Sequence, residues 1–393
     1  MAAPETKGAL TGLCVIEIGQ IIAAPFCASL LGEFGAEVIK IEQPGIGDAN
    51  RDNLGFSQDN RGKKSVTLDL SKPEGVALFR RLCDHADVLV ENSRAGQLER
   101  WGIAPDLLRQ TNPGLVVVRI SGYGQTGPYK DLAGFDRVAL AFAGLTGVTG
   151  HADRPPVRPG YLIADYGSGL MAAFGALAAL RARDQTGRGQ DVDLALYESI
   201  WRMSGSHIAD YGLTGKSRVR SGNFHPNVVP GEQFETADGE YLVINATTQR
   251  AFEKLCRAIG RPELIQDDRF NTRPKLKANA NFIHDIIGGW ARALTFAQCA
   301  AAMERAGVAA AKVNTIADIA ADPHFAAREQ IVTVPDAAHG HLLQPGITPR
   351  LSDTPGRVKG PAPGLGENND EVYGGLLGLS ADELDAKRNA RII

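Results

Sequence analysis

The first half of the chain alternates short β-branched runs with amphipathic stretches of helical period. The short runs predict strands at 13–18, 37–41, 66–70, 87–90, 115–120 and 191–195. The stretches between them predict helices, one at 25–34, one opened by Pro73 and one opened by Pro105. Strands separated by helices lie parallel in one sheet, so the pattern predicts an α/β lobe.

The second half follows a different pattern. A long Ala-rich helix is predicted at 164–183 and another helix at 199–211, before Gly, Pro and basic residues interrupt the periodicity. Asp238-Gly239 predicts a hairpin between strands at 232–236 and 241–245, with helices at 249–259, 282–292 and 380–388. We therefore expect a large domain from residues 1–215 and 325–393, a linker at 216–230, and a smaller α+β domain at 231–324.

Composition narrows the class of function. Of 393 residues, 44% are hydrophobic and 22% charged, and the net charge of -3 comes from scattered residues. We therefore expect no nucleic-acid or membrane partner, and a small metabolite as substrate. The first eleven residues show no targeting pattern, which predicts a cytoplasmic protein. Five widely separated cysteines predict buried free thiols and argue against a disulfide framework or a metal site.

The segment from Gly122 to Gly127 fits the pattern G-x-G-x-x-G and follows a predicted strand. In a dinucleotide site this turn would open a helix, but Pro128 follows at once. No acidic residue ends a following strand about twenty residues later, as the fingerprint requires. The segment is therefore interpreted as a glycine-rich structural or active-site loop, and NAD-dependent dehydrogenase chemistry is disfavoured.

Asp165 lies between an apolar segment and the start of the long apolar helix. On this local pattern alone, capping of the helix is the favoured interpretation. The same place suits a nucleophile, because backbone N–H groups would keep the carboxylate ionised and Gly167, Ser168 and Gly169 would let an acyl group approach. Asp136 is a second carboxylate, interpreted by itself as a cap or a surface ion pair.

Segments along nearly the whole chain resemble class III CoA-transferases. The joint order and spacing of these segments carry the resemblance: 10–17, 23–25, 34–42, 47–48, 60–65, 90–92, 98–102, 121–128, 134–136, 186–190 and 365–367. The resemblance implies a Rossmann-like large domain with a parallel sheet, a smaller α+β domain, and a homodimer of two interlaced subunits. It favours catalysis over helix capping for Asp165.

The resemblance also implies a set of functional residues. Asp165 would be the nucleophile, and Asp136 would assist it. Coenzyme A, as a substrate rather than a tightly bound cofactor, would lie along Ile22, Ala23, Gln43, Leu68, Asn92, Ser93, Arg94, Arg100, Gly134 and Phe135. Arg100 would pair with a nucleotide phosphate, whereas Gln43 stands where some relatives carry Arg.

The implied reaction passes through a mixed anhydride and an aspartyl-CoA thioester on Asp165. It exchanges one thioester for another, so no ATP, metal or redox cofactor is expected, and backbone amides beside Gly167 are candidate oxyanion donors. The segment 222–226 replaces the glycine-rich lid of formyl-CoA transferases, which disfavours oxalate and formate as substrates. Residues 157–160 resemble members that act on succinate, glutarate or mesaconate, either between two acids or within one molecule. His225 fits either a distal carboxylate site or a structural turn.

Two alternatives remain at this point. An α-methylacyl-CoA racemase shares the fold but needs an imidazole base beside the helper aspartate, where this chain has Phe135. A CoA-binding regulatory protein with a dead site is disfavoured because Asp165 and Asp136 are both present.

Overall fold

The computed structural model describes residues 7–225 and 227–393. These form two compact units, the first from Met1–Thr146, Arg158–Ser217 and His324–Ile393, the second from Gly147–Val157 and Arg218–Pro323. The sequence assigned residues 147–157 to the large domain, whereas they cluster with the smaller unit. Residues 1–6, used above to predict localisation, and Pro226, in the segment that replaces the lid, lie outside the described residues.

Six strands form one parallel sheet in the first unit, in the order β3-β2-β1-β4-β5-β6. The strands are β1 (Cys14–Glu17), β2 (Glu37–Glu42), β3 (Lys64–Thr67), β4 (Val88–Glu91), β5 (Val116–Ser121) and β6 (Asp191–Ala195). This confirms the predicted α/β lobe. The order reverses between β1 and β4, as in Rossmann-like folds, where ligands bind beyond the carboxyl ends of the strands.

Ten helices are described between β1 and residue 214; nine belong to the first unit, and one, at Leu145–Val148, crosses the boundary between Thr146 and Gly147. They are α1 (Ala23–Glu33), α2 (Leu54–Asp59), α3 (Pro73–Cys83), α4 (Gln97–Arg100), α5 (Pro105–Leu108), α6 (Asp136–Phe142), α7 (Leu145–Val148), α8 (Ile163–Thr186), α9 (Leu196–Arg202) and α10 (His207–Thr214). Successive residues of β1 face opposite sides: Val15 packs in a core with residues of α1 and α8, and Ile16 in a core with residues of α3. Side chains that alternate in this way bury both faces of the sheet.

The helix predicted at 199–211 is two helices, α9 and α10. Between them Gly205 has a φ of 64°, a left-handed conformation that interrupts the helix and that glycine adopts without strain. The prediction of one continuous helix was wrong because apolar periodicity continues through this glycine. The long helix α8 was predicted nearly to its bounds, but it begins at Ile163, ahead of Asp165 rather than after it.

The second unit has a three-stranded antiparallel sheet in the order β7-β8-β9. Its strands are β7 (Gly231–Glu235), β8 (Tyr241–Asn245) and β9 (Ala309–Lys312), and the turn between β7 and β8 contains the predicted Asp238-Gly239. The helices are α11 (Gln249–Ala258), α12 (Arg273–Ala278), α13 (Ala280–Arg292), α14 (Phe296–Ala306) and α15 (Ile316–Ala321), with a 3-10 turn at Pro262–Ile265. Antiparallel strands with separate helices are the predicted α+β arrangement.

The C-terminal segment carries α16 (Pro323–Ala327), strands β10 (Ile331–Asp336) and β11 (Gly340–Pro345), a π-helical turn at Asp370–Leu376, and α17 (Ala381–Asn389). The antiparallel β10–β11 hairpin was not predicted, because Pro335 and Pro345 within the strands mask the pattern. Val372, Tyr373 and Leu384 pack in the same core as Ile16 of β1, so the chain end covers one face of the parallel sheet.

Among the residues that the structure describes, one helix, α8, is long and apolar enough to cross a membrane by length and composition. Its small residues Ala172, Ala176 and Ala179 are buried in the core beside the sheet. Core helices of soluble proteins commonly show the same composition, so this single span is weak evidence for a membrane segment.

Candidate active site

A cavity of about 290 Å³ lies beyond the carboxyl ends of β1, β4 and β5, where the strand order reverses. The loop after β1 contributes Gln20, Ile21 and Ile22, α1 contributes its first residue, Ala23, and other walls include Asn92 after β4. Parallel sheets of this order bind ligands at this place. Asp165 is the only charged side chain among the described residues that line the cavity.

Asp165 lies in the first turn of α8, two residues after its first residue, Ile163. It is therefore not the N-cap, so the capping interpretation, which the local pattern favoured and the resemblance disfavoured, is wrong. The residue before the helix, Leu162, has no side chain that could cap it. Within 7–225 and 227–393, no residue donates a hydrogen bond to the Asp165 carboxylate, which leaves its oxygens free for a ligand.

The first turn of α8 is capped by Asp136 instead. Oδ1 of Asp136 accepts hydrogen bonds from the backbone N–H of Ala164 at 2.8 Å and of Asp165 at 3.4 Å. Asp136 is 4% exposed, and its other oxygen, Oδ2, has no hydrogen-bond partner in the described part of the chain. A carboxylate beside a helix N-terminus is favoured by the helix dipole, which helps to offset its burial.

The electrostatic environment of Asp165 differs from the sequence expectation. Burial, and then the neighbouring carboxylates of Asp136 and Asp59, raise the pKa of the Asp165 carboxyl to about 7. We expected backbone N–H groups to keep this carboxylate ionised. The amides of Ala164 and Asp165 bind Asp136, and that of Tyr166 binds the carbonyl oxygen of Leu162, so they are not available to the Asp165 side chain.

The residues expected along CoA fall into three groups. Ile22, Ala23, Asn92, Ser93, Gly134 and Phe135 line the cavity that contains Asp165. Gln43 and Leu68 line a neighbouring cavity of about 220 Å³, and the two cavities share the walls Ile18, Gln20 and Trp101.

Arg94 and Arg100 line neither of these two cavities. The guanidinium of Arg100 donates to Oε1 of Gln97 at 2.7 Å and to the carbonyl oxygen of Ala95 at 3.4 Å. Arg94 is exposed. The structure therefore brings eight of the ten expected residues to two adjoining cavities in the first unit.

Comparison with known proteins decides the family. Residues 10–369 match the family model described as CoA-transferase family III. The chain belongs to CoA-transferase family III. It is 42% identical, over 100% of both chains, to "Succinyl-CoA--D-citramalate CoA-transferase" of Chloroflexus aurantiacus. It is 34% identical to "Succinate--glutarate CoA-transferase" of Agrobacterium fabrum, over 95% of this chain and 97% of that protein.

The fold comparison agrees with the family assignment. The crystal structure of a CAIB/BAIF family protein from Brucella suis is 32% identical, with a TM-score of 0.83 over 94% of this chain and 100% of that chain. The resemblance noted from the sequence is thereby confirmed, and the protein is an enzyme that transfers CoA, with CoA thioesters as substrates. Groups of three or more metal-ligating side chains are absent from the described residues.

The glycine-rich loop of this transferase forms part of the cavity wall. A Cβ atom at Gly122 would lie 2.6 Å from the Cα of Gly134, so the two backbones touch and both positions need glycine. The helix after the loop, α6, begins only at Asp136. A dinucleotide-binding turn would open directly into a helix, so the structure supports the interpretation as an active-site loop.

Two glycines at the start of α8 have different roles in the transferase. A Cβ atom at Gly169 would lie 2.8 Å from the ring of Phe26, so this glycine permits the close packing of α1 on α8. A Cβ atom at Gly167 would make only ordinary contacts, the nearest at 3.5 Å to Met203, so there is room near Asp165. The amide of Gly167 lies inside the helix, where it bonds the carbonyl four residues earlier, so it is a poor candidate for an oxyanion donor.

Sequence reasoning missed Asp59, the last residue of α2. It is fully buried, and its Oδ2 accepts a hydrogen bond from the hydroxyl of Tyr166 at 3.3 Å. Burial raises the pKa of Asp59 to about 7, although Lys63 and the Tyr166 hydroxyl oppose this rise. Asp59 directly precedes a family-like segment at 60–65, but nothing in the local pattern connects it with Asp165.

Histidine residues do not line the cavity in the described part of this transferase. Phe135, where the racemase alternative needs an imidazole, lines it and is 65% exposed. The relatives named above are transferases, so the racemase alternative is less supported. In the second unit, Nδ1 of His225 accepts a hydrogen bond from the backbone N–H of Asn227 at 3.2 Å, which supports a turn role for this histidine.

Proposed function

We propose that the enzyme transfers CoA between dicarboxylic acids of four or five carbons, and that Asp165 carries the acyl and CoA groups covalently. The observation that carries the proposal is the Asp165 carboxylate itself. It lines a cavity at the switch point of the sheet, it is the only charged group on the described walls, and it accepts no hydrogen bond from a described residue. A desolvated, unpaired carboxylate is a suitable nucleophile.

The proposed reaction begins when a carboxylate oxygen of Asp165 attacks the thioester carbonyl of the donor. The C–S bond breaks, and the products are a mixed anhydride and CoA thiolate. The thiolate then attacks the side-chain carbonyl of Asp165, which releases the first acid and leaves an aspartyl-CoA thioester. The acceptor carboxylate attacks that thioester, which breaks its C–S bond and gives a second mixed anhydride and CoA thiolate. The thiolate then attacks the acceptor's acyl carbon, which forms the new CoA thioester and releases Asp165 as a carboxylate.

The raised pKa of Asp165 fits this cycle. A pKa of about 7 means that roughly half of the enzyme carries the ionised nucleophile at neutral pH. The intermediates on Asp165 are uncharged at this side chain, so acylation removes a poorly solvated negative charge from the cavity. Burial therefore destabilises the resting carboxylate relative to the acylated states, which supports its role as nucleophile.

Two adjoining cavities support the proposed path of CoA. We propose that the thioester end lies beside Asp165, in the cavity with Ile22, Ala23, Asn92, Ser93, Gly134 and Phe135. The remainder of CoA would continue past Trp101 toward Leu68 and Gln43 in the neighbouring cavity. Arg94 and Arg100 stay proposed contacts for the nucleotide phosphates, because an arginine on the surface can meet a phosphate outside either cavity.

We propose Asp136 as a positioning residue rather than a second nucleophile. It does not line the cavity, and its Oδ1 binds the backbone amides of Ala164 and Asp165. The two carboxylates also repel each other, and this raises the pKa of Asp165, which accepts no hydrogen bond from a described residue. Asp136 would thus set both the direction and the ionisation of Asp165.

The substrate class rests on relatives whose names contain succinyl-CoA with D-citramalate, and succinate with glutarate. The substrate class can be tested by measuring rates with succinyl-CoA and a panel of acceptor acids. Each dicarboxylic acid is compared with its monocarboxylic counterpart, such as glutarate with valerate. We expect kcat/KM to favour the dicarboxylic acid at least 100-fold, since an unmet second carboxylate site costs several kcal/mol. Equal rates for both members of a pair would contradict the proposed class.

Transfer within one molecule is a second form of the same chemistry. Mesaconyl-CoA incubated with enzyme and labelled free mesaconate distinguishes the two. Formation of the isomeric thioester without exchange into labelled free mesaconate would indicate that the released acid is recaptured in the site. Full exchange with the labelled pool would indicate transfer between two separate acids.

We also propose that the enzyme works as a homodimer in the cytoplasm. Helix α8 exposes Leu170, Phe174 and Leu177 at helical spacing, with exposed fractions of 55%, 70% and 42%. An exposed apolar face of this kind marks an interface in a soluble protein. Light scattering would then give twice the chain mass of 41.8 kDa, and Phe174→Glu should lower it to one chain. A wild-type enzyme that stays at one chain mass would contradict the dimer.

A further inference from the structure

The loop between β1 and α1 contains a strained backbone conformation. Ile21 has a φ of 70°, in the left-handed region. For a β-branched residue this is a true outlier, because the side chain meets its own backbone there. Ile21 lines the same cavity as Asp165, so the strain lies in the active site. Strained residues persist only where the surrounding structure holds them in place.

Asp48 holds the strained residue. Its Oδ1 accepts a hydrogen bond of 3.0 Å from the backbone N–H of Ile21 and one of 2.9 Å from that of Asn50. Its Oδ2 pairs with the ammonium of Lys40 at 2.8 Å. Although burial raises the pKa of Asp48, the Lys40 charge and the amide of Ile21 lower it below its ordinary value. The acceptor for the Ile21 amide is therefore a carboxylate at neutral pH.

Neighbouring residues of the loop are held in the same way. The side chain of Asn92 accepts from the backbone N–H of Gln20 at 2.8 Å and donates to its carbonyl oxygen at 2.8 Å. Lys40 donates to the carbonyl oxygen of Gly19 at 2.9 Å. These contacts fix the backbone of Gly19 and Gln20, just before Ile21. The loop therefore has little freedom to relax the φ angle of Ile21.

The groups behind the loop form a buried ion network without excess charge. Glu17 pairs with Lys40 at 2.8 Å and with Lys63 at 2.9 Å, and Lys40 also pairs with Asp48. Lys63 further donates to the carbonyl oxygen of Pro25, in the first turn of α1. The side chains are at most 1% exposed. Buried ion pairs contribute little net stability, so such a network is better explained by the geometry that it imposes.

We propose that Asp48 is a positioning residue for acyl-CoA: it holds Ile21 in the left-handed conformation and thereby sets the shape of the cavity wall from Gly19 to Ala23. This inference rests on the proposed function, in which the cavity with Asp165 binds the thioester end of CoA. Asp48 also belongs to the wall of the neighbouring cavity, but its side chain is fully buried and touches no reacting atom, so its effect on the thioester end passes through Ile21.

The strain can be tested without any ligand. At ordinary loop positions alanine gives a higher Tm than glycine, because glycine makes the unfolded chain more flexible. At a φ of 70° the order reverses, since glycine adopts this conformation freely and alanine does not. We expect Ile21→Gly to unfold at a higher temperature than Ile21→Ala. A higher Tm for Ile21→Ala would overturn the inference.

The positioning role needs variants that fold alike. Lys40→Met with Asp48→Asn keeps an oxygen acceptor for the Ile21 amide, whereas Lys40→Met with Asp48→Ala removes it. Both double variants leave one Glu17–Lys63 pair in the network, so neither contains an unpaired buried charge. The comparison between them isolates the acceptor. Asp52→Ala, a change at an exposed aspartate of the same loop region, is the control.

The readout is the Kd for free CoA by calorimetry, with kcat and KM for succinyl-CoA. We expect the Asp48→Ala double variant to bind CoA at least 10-fold more weakly than the Asp48→Asn double variant, with the loss larger in KM than in kcat. When Ile21→Gly is added to both, the difference should shrink to 3-fold or less, because glycine needs no side-chain acceptor to hold it in this conformation. Asp52→Ala should bind like wild type.

Two outcomes would overturn the inference while the proposed function stands. One is equal CoA binding by the two double variants, and the other is a difference that Ile21→Gly leaves unchanged. Wild-type enzyme that neither binds CoA nor turns over succinyl-CoA would overturn the proposed function and this inference with it.

Discussion

Oδ1 of Asp136 accepts a hydrogen bond of 3.4 Å from the backbone N–H of Asp165. The same carboxylate that directs the first turn of α8 also raises the pKa of the Asp165 side chain through its charge. The orientation of the proposed nucleophile therefore depends on this neighbour, and its raised pKa depends first on burial and then on the charges of Asp136 and Asp59. The two effects can be separated, because an amide can keep the hydrogen bond without the charge.

Asp136→Asn should move the pH dependence of the reaction. In the wild-type enzyme, kcat/KM for succinyl-CoA should rise with pH to a plateau above about 7, because it follows ionisation of Asp165 in the free enzyme. At pH 6 about a tenth of the plateau rate should remain. In Asp136→Asn one repulsive charge is gone, so the pKa of Asp165 falls and the inflection of the pH–rate profile moves to lower pH.

Asp131→Asn provides the matched control for this shift. Asp131 lies in the same stretch of chain but is exposed, so its charge is screened by solvent. Its pH–rate profile should coincide with that of wild type. An unchanged inflection in Asp136→Asn would contradict the electrostatic role of Asp136.

Asp165→Asn should stabilise the fold at alkaline pH while it abolishes turnover. The pKa of Asp165 is about 7 in the folded protein against 3.8 ordinarily, so the folded state binds this proton more tightly than the unfolded chain. Stability from this group is complete below pH 4 and is lost as the pH rises through 7. Replacement by asparagine should therefore raise the free energy of unfolding by roughly 1–3 kcal/mol at pH 8.

The pH dependence of that gain is the measurement. Urea unfolding at pH 8 should show a clear gain for Asp165→Asn over wild type, and the gain should vanish near pH 4. A constant gain at all pH values would indicate a packing effect and would contradict the raised pKa. Loss of at least 10³-fold in kcat is expected at every pH, since an amide cannot replace the nucleophile.

Much of the fold follows from local patterns. All six parallel strands were predicted, although β3 begins at Lys64 rather than at Val66, because a polar start carries no β signal. The order of the strands across the sheet depends on contacts distant in sequence, and no period in the sequence encodes it. The β10–β11 hairpin was missed because prolines within its strands mask the strand pattern. The helix predicted at 199–211 is two helices because Gly205 interrupts it, although the apolar periodicity continues.

The site was only partly predictable. Asp165 and Asp136 were found because the family resemblance marks them, and their local patterns alone favoured helix caps. The hydrogen bond that joins Asp136 to Ala164 spans 28 residues of sequence, and the bond from Ile21 to Asp48 spans 27. Neither pair shares an element, so their roles emerge only once the strands place the loops together.

Gly19→Ala should disrupt the cavity wall next to Ile21. A Cβ atom at this position would lie 2.3 Å from the Cβ of Ala24, so the start of α1 would have to shift. We expect a loss of about 1–3 kcal/mol in stability and weaker CoA binding, because overpacked sites move the backbone. Thermal unfolding and calorimetry measure the two effects.

Gly55→Ala is the matched control for the glycine substitution. The nearest atom to a Cβ at Gly55 is Nδ2 of Asn50 at 3.5 Å, an ordinary contact at the start of α2. Alanine there should be neutral or stabilising by up to about 1 kcal/mol. Wild-type stability and CoA affinity in Gly19→Ala would contradict the tight packing of the loop.

The most direct test of the proposed mechanism is peptide mass spectrometry after incubation with succinyl-CoA and reduction by borohydride. An aspartyl-CoA thioester on Asp165 would be reduced to an alcohol, so the peptide that contains Asp165 should lose the mass difference between a carboxyl and a hydroxymethyl group. The Asp136→Asn variant should still give this product. Unmodified Asp165 in enzyme that is turning over succinyl-CoA would contradict covalent catalysis at this residue.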